Sequence, residues 1–262
     1  MTPRLRAALT AYSLLALTDI SYLALQPLFF SSPTGAGGLG LTASTIGIWM
    51  GSGGALNAIV QAFLYPRLHA RFGEKRLFIV GACAFCLMWP VWMATWAVVA
   101  TLDSTTDNDV HWSTAPGSHT VWALLASSFG LYIVTQFCFA GIFMFVNNAA
   151  PRAALGRANG LAQTATSTMR AIGPAALTSL WSWSAGWLHR THHLVADNGQ
   201  TGLVVVGGVV VLVPAVTVYV MMEVFSLALV WSGTRLMNGR AAESIKPSGS
   251  RGSLEPQAGP HV

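Results

Sequence analysis

The sequence predicts an all-α membrane protein, a bundle of six transmembrane helices, and three observations carry that prediction. Charged residues make up only 9% of the 262 positions, while hydrophobic residues make up 53%. An ordinary soluble domain carries about 25% charged residues, and a chain this poor in charge has too little to cover a water-facing surface. Second, the apolar residues come in six long blocks, at 7–30, 44–66, 77–101, 120–146, 158–184 and 202–231. Each is long enough to supply the roughly 20 apolar residues that a helix needs to cross a bilayer core. Third, the basic residues are sorted to one side. With both termini cytoplasmic, twelve of the fourteen Lys and Arg fall in the N-terminus, 67–76, 147–157 and the C-terminal tail; Arg190 alone faces out, and Arg170 lies within a block. That is a strong positive-inside signal.

Helices are required because lipid offers no partner to backbone polar groups, and the blocks are twice the length of the alternating strands of a membrane barrel. The first block follows Arg4 and Arg6 and resembles a secretory leader at its start. It runs on to Phe30, crosses Asp19 and has no small-residue cleavage site, so it reads as a retained span. Thr42 and Ser44 are positioned to cap the second helix, and Pro66 sits where that helix is expected to stop. Gly47, Gly51 and Ala55 form a small-xxx-small ladder on it, which suits close helix packing. Gly35, Gly37 and Gly40 spell G-x-G-x-x-G, but they follow a membrane helix rather than a strand, so a dinucleotide fold is excluded. In the third block Cys83 and Cys86 read as small buried residues, since a redox or zinc pair needs partners and access. Pro90, between Trp89 and Trp92, is expected to kink it.

The loop 102–119 carries Asp103, Asp107 and Asp109 without Lys or Arg and reads as exposed on the outside. Trp112, Trp122, Trp181, Trp183 and Trp187 fall near outer boundaries, as an interfacial aromatic belt would. His189, His192 and His193 cluster in the outer segment 185–200, and only Asp197 lies nearby; an ordinary polar loop accounts for them better than a metal site. From 236 to 262 the composition turns to Gly, Ser, Pro and charge, which cannot bury enough apolar surface to order itself. The organisation is therefore a transmembrane domain over 1–235 and a disordered cytoplasmic tail over 236–262.

Several function classes drop out. The net charge of +5 reflects topology and contact with anionic lipid rather than nucleic-acid binding. Three cysteines, all in apolar blocks, make no disulfide framework. No G-x-S-x-G, H-E-x-x-H or Walker sequence is present, so neither hydrolysis nor ATP-driven pumping is indicated; no cofactor and no metal are expected, and the chain is not read as an enzyme.

What remains is charge inside lipid. Asp19 lies mid-way along the first block with Gln26 two turns on, Arg170 mid-way along the fifth, and Glu223 toward the cytoplasmic end of the sixth. An Asp or Arg at a helix centre costs about 2.5–3.5 kcal/mol on insertion scales. Asp19 and Arg170 form either a coupling pair facing a substrate path or a structural pair that fixes packing. Glu223 is close enough to the interface to reach headgroup water.

The turn Pro66-Arg67-Leu68-His69-Ala70-Arg71-Phe72-Gly73-Glu74-Lys75-Arg76 resembles the basic loop of the major facilitator superfamily. The resemblance extends to Gly38–Gly47 and to Asn147–Pro151, Leu155–Thr164 and Arg170–Pro174, and covers about 1–232. The chain is similar to the C-terminal half, helices seven to twelve, of fungal drug:proton antiporters and zinc-induced facilitator-like proteins. Arg67, Arg71, Gly73, Lys75 and Arg76 match the loop; Ala70 replaces its usual Asp, which puts the loop's charge relay in doubt. The family's N-terminal half is absent from the matched region. Such folds place substrate between pseudo-symmetric halves, so this chain alone makes half a pathway.

The resemblance implies a secondary transporter half that moves a small solute, coupled to protons. Asp19 is the proton-responsive candidate and Arg170 its partner or an anion contact. Gln26, Asn57, Gln61 and Gln163 offer neutral hydrogen bonds along the cavity. The partners implied are the solute, protons, the lipid bilayer and a second six-helix half, in a plasma or vacuolar membrane. The competing reading is a truncated, non-transporting remnant or a subunit that needs a partner half.

Overall fold

The computed structural model describes residues 2–34, 37–105, 113, 117–195, 204–206, 209–211 and 215–244, with side chains over 2–34, 37–103, 113, 117–183 and 218–235. Helix α1 spans Pro3–Ser31. Thr2 caps it by accepting the Leu5 N–H at 3.2 Å, and Pro3 occupies the first turn, where its missing N–H costs nothing. At 1.5 Å per residue, its 29 residues rise about 43 Å, enough to cross a bilayer.

Helix α2 (Ala43–Ile59) starts at Thr42, whose hydroxyl accepts the Thr45 N–H at 3.3 Å. It does not stop at Pro66. It passes into a π turn, Val60–Leu64, and on into α3, Tyr65–Thr105. The wider π turn is the physical reason. A proline in a regular helix clashes with the carbonyl four residues back, and the extra residue in the turn relieves that clash. The break comes instead at Gly73, with φ 75° and ψ 163°, a conformation essentially reserved for glycine. Residues 43–72 and 74–105 are thus two rods joined at one glycine.

Helices α4 (Ser118–Thr135) and α5 (Phe137–Ala149) continue one another across the single residue Gln136. A 3-10 turn, Arg152–Ala154, leads into α6, Leu155–Val195. The sixth apolar block departs from expectation. Its first part forms a short antiparallel ribbon, β1 (Val204–Val206) with β2 (Val209–Val211), and helix α7 begins only at Ala215 and runs to Ser244. The two valine triplets favour strands, because β-branched residues are stiff in helices.

Among the described residues, three helical stretches are long and apolar enough to be membrane spans: Pro3–Ser31, Ala43–Asp103 and Ser118–Ala149. The second is 61 residues long and, broken at Gly73, can cross twice.

Helix α1 is central, packed by α5, α6 and α7, while α3 packs on α4, α5 and α7. Aromatics fill the core around the C-terminal half of α1: Phe29 stacks on Trp92 at 4.7 Å, and Tyr22 meets Trp89 and Trp92. The Trp89 indole donates to Ser226 Oγ at 3.0 Å, tying α3 to α7. Trp181 is buried beside Tyr219 and belongs to this core rather than to an interfacial belt; Trp183 is exposed. The side chains of Trp112, Trp187, His189, His192 and His193 lie outside the described residues. Just past the C-terminal end of α1, Thr34 donates to Asp103 Oδ2 at 2.7 Å and its carbonyl accepts from the Trp96 indole at 3.2 Å.

Helix α2 stands apart. Gly53 is its only buried residue, and Ile48, Leu56, Ile59 and Phe63 are exposed.

Candidate functional site

The site begins with the charge that lipid would reject. Asp19 sits mid-way along α1 and is buried at 9% exposure. Its neighbours Thr18 and Ser21 satisfy their hydroxyls on the helix itself, donating to the carbonyls of Leu14 and Leu17. Asp19 instead reaches across the bundle. Its Oδ1 accepts from Gln136 Nε2 at 2.9 Å, and Tyr132, one helical turn earlier on α4, lies beside it. The Tyr132 ring stacks on Tyr22 of α1, with centroids 4.4 Å apart. The carboxylate is therefore held by the Gln136 amide, with the Tyr132 phenol beside it.

Arg170 lies within electrostatic reach of Asp19 but closes no ion pair with it. The α6 backbone comes close nearby, where Gly173 abuts Leu17, Ile20 and Ser21 of α1. A side chain at Gly173 would meet Leu17 Cδ1 at 2.9 Å. The guanidinium itself is exposed. Gln163, Ser167 and Arg170, at helical spacing, are all exposed, as are Thr164 and Thr168. A stripe of amide, hydroxyl and guanidinium groups on the middle of a long helix cannot face hydrocarbon without cost. The same composition keeps α6 out of the set of apolar spans.

The other expected polar residues fall into place unevenly. Gln26 is buried on α1 at 4% exposure, two turns on from Asp19. Asn57 and Gln61 are partly buried on α2 and its π turn. Two contacts bracket their depth: Gly53 against the Phe129 ring, and Tyr65 against Phe137 with centroids 5.4 Å apart. They thus lie level with Tyr132 and Gln136. Asn57 Oδ1 and Gln61 Nε2 are enclosed with no hydrogen-bond partner among the described residues. Gln163 touches none of these groups. The structure brings Asp19, Tyr132 and Gln136 into contact, with Arg170 beside them.

Tyr132 and Gln136 were not among the residues that the sequence singled out. The signal for Gln136 was present, since it is the lone amide in the apolar block 120–146. Tyr132 gave none, because a tyrosine in a span is ordinary.

The basic turn forms an open hollow lined by His69, Arg71, Phe72, Gly73, Glu74, Lys75 and Arg76. Arg67 donates to the Phe63 carbonyl at 2.5 Å, and the Arg71 guanidinium lies over Phe72, 5.6 Å from its centroid. The loop's basic residues thus cap and flank the end of one rod and the start of the next. Among the described residues no group of three His, Cys, Asp or Glu side chains comes together.

Comparison with known proteins follows the same lines. The chain is 27% identical over 180 residues to the Arabidopsis thaliana protein zinc induced facilitator 1, which takes in 69% of this chain and 34% of that protein. It is 29% identical over 177 residues to the Aspergillus fumigatus major facilitator superfamily multidrug transporter mfsB, 63% of this chain and 27% of the relative. It is 25% identical over 190 residues to the Aspergillus niger efflux pump azaK, 72% and 36%. The chain is a homologue of major facilitator superfamily transporters. These facilitators are membrane carriers rather than enzymes. The chain spans about a third of the length of the facilitators it matches. No protein-family profile and no solved structure matches it.

Proposed function

We propose that this chain is one six-helix half of a secondary transporter, corresponding to facilitator helices seven to twelve, and that it moves a small solute in exchange for protons. The rods 3–31, 43–72, 74–105, 118–149, α6 and α7 supply six crossings with both ends cytoplasmic, the arrangement that the one-sided distribution of basic residues favours. The observation that carries the reading is the exposed polar stripe of α6, Gln163 to Arg170, beside the buried carboxylate of Asp19. Such a stripe suits a water-filled path, and that path closes only against a second set of helices. Asp19 takes up and releases the proton. Arg170 balances its charge or meets an anionic solute group, and Asn57, Gln61 and Gln163 supply neutral hydrogen bonds. Gln26, further out and enclosed, orders the core near the path.

The test is co-expression of this chain with an N-terminal six-helix facilitator half in yeast lacking its own exporters, scored by survival on a panel of small organic toxins and metal salts. The pair is expected to confer resistance, and the chain alone none. Asp19→Asn in the pair is expected to abolish resistance that depends on acid medium. Acid-dependent resistance that survives Asp19→Asn removes Asp19 from the mechanism. A pair that never confers resistance to any compound favours a non-transporting chain.

A further inference from the structure

We infer that Gln136 is the positioning residue of this site, a latch that ties the charge on Asp19 to the joint between α4 and α5. The inference rests on the transporter reading for its purpose, but its geometry stands by itself. The rod 118–149 is interrupted at one residue. Gln136 has φ −64° and ψ −18°, and its carbonyl accepts from the Phe139 N–H at 3.2 Å, a tighter i to i+3 closure in place of the helical bond. Interruptions of this kind have identifiable causes, and proline and glycine are both absent from 131–140. Two side chains act here instead. The Thr135 hydroxyl, one residue before the joint, donates to the Tyr132 carbonyl at 2.6 Å. Gln136 directs its amide N–H out of the rod to Asp19 Oδ1 at 2.9 Å. The residue at the joint therefore holds the buried carboxylate of α1.

Hydrogen bonds to an ionised acceptor are roughly twice as strong as neutral ones. With Asp19 ionised, the latch is closed and the joint is pinned to α1. When a proton from the aqueous path adds to the carboxylate, the bond to Gln136 weakens and the joint relaxes; when the proton leaves to water, the latch closes again. The other ionisable groups around Asp19 are Tyr22 on α1, Tyr132 on α4, Cys138 on α5 and Arg170 on α6. Of these Arg170 is a guanidinium, and the others are phenols and a thiol. On α2 the groups at this depth, Asn57 and Gln61, are neutral. On α7, Glu223 lies by Cys86 of α3 instead. Asp19 is thus the group through which acidification reaches the joint.

The test is a distance measured across the joint in the full chain in lipid nanodiscs. Spin labels go at Ser127 and Asn147, both exposed, about 30 Å apart along the helical rise, with Cys83, Cys86 and Cys138 replaced by Ser. Between pH 8 and pH 5 the parent distance is expected to change by about 1–2 Å, the scale of helix shifts in switching proteins. Gln136→Met, which keeps the side-chain volume and removes the donor, and Asp19→Asn, which removes the titration, are each expected to abolish that change. Gln163→Leu, on the exposed stripe, is expected to keep it. A pH-dependent change that persists in Gln136→Met, or a parent distance that does not move, overturns the latch. The outcome is independent of transport: a latch that works in a chain whose acid-dependent resistance ignores Asp19→Asn retains this inference and discards the transporter role of Asp19.

Discussion

Gly51→Leu separates what holds this chain together from what it is built to hold. A Cβ built at Gly47, Gly51 or Gly54 meets nothing within 4 Å. Among the described residues, none therefore packs on the glycines of the α2 ladder. Gly53, beside it, is the glycine that is packed, since its Cβ would run into the Phe129 ring. In the isolated chain Gly51→Leu removes a flexible residue from a helix interior and creates no clash, so it is expected to be stabilising by about 0.5–1 kcal/mol. If the ladder receives a helix of the second half, the same leucine lands where backbones approach closely, and overpacking costs about 1–3 kcal/mol, a loss of roughly 5- to 150-fold in association. Thermal unfolding of the purified chain and pull-down between separately tagged halves read the two effects. A lower melting temperature for the Gly51→Leu chain contradicts the open face, and unchanged capture of the second half shows that the ladder is not the contact.

Two further substitutions test the internal packing. Gly81→Ala places a Cβ 2.6 Å from Cys138 Sγ and 3.0 Å from the Val134 carbonyl, so it is expected to destabilise the α3–α4/α5 contact by about 1–3 kcal/mol, opposite in sign to Gly51→Leu in the same melting assay. Gly73→Ala has open space around it but demands φ 75° of a residue with a Cβ; it is expected to cost about 1–3 kcal/mol, seen as a lower melting temperature or as enhanced proteolysis at the basic turn.

The helical, membrane-spanning character was legible because it depends on bulk properties, namely scarce charge, block length and the side on which Arg and Lys lie. Ends were legible where chemistry is local. Thr42 caps α2 as its hydroxyl and position implied. They were misread where two local rules compete. Pro66 is a stop signal in a regular helix, but the π turn just before it removes the clash on which that rule rests, and Gly73 takes over as the break. The run 202–214 is apolar enough for a span by hydropathy, yet its valine triplets favour a ribbon over 204–211, so α7 starts late. Hydropathy counts apolar residues; it does not weigh β-branching.

The site was legible in half. A carboxylate in the middle of a span announces itself by its cost, and Asp19 is where that cost is met. What the sequence could not supply is who meets it. Arg170 is the obvious partner by charge, but it lies on the exposed side of α6, and the buried oxygen is satisfied by Gln136, 117 residues away in sequence. The distinction bears on mechanism. Had Asp19 been locked to a buried arginine, removing either partner would strand a charge at a cost of about 3–5 kcal/mol, and the pair would serve as a fixed structural tie. A carboxylate held by a neutral amide can lose its charge without stranding another. The exposed arginine is then left free to balance that charge from the open side. Among the arrangements open to a buried acid, this one tolerates titration, and titration is what coupling to protons requires.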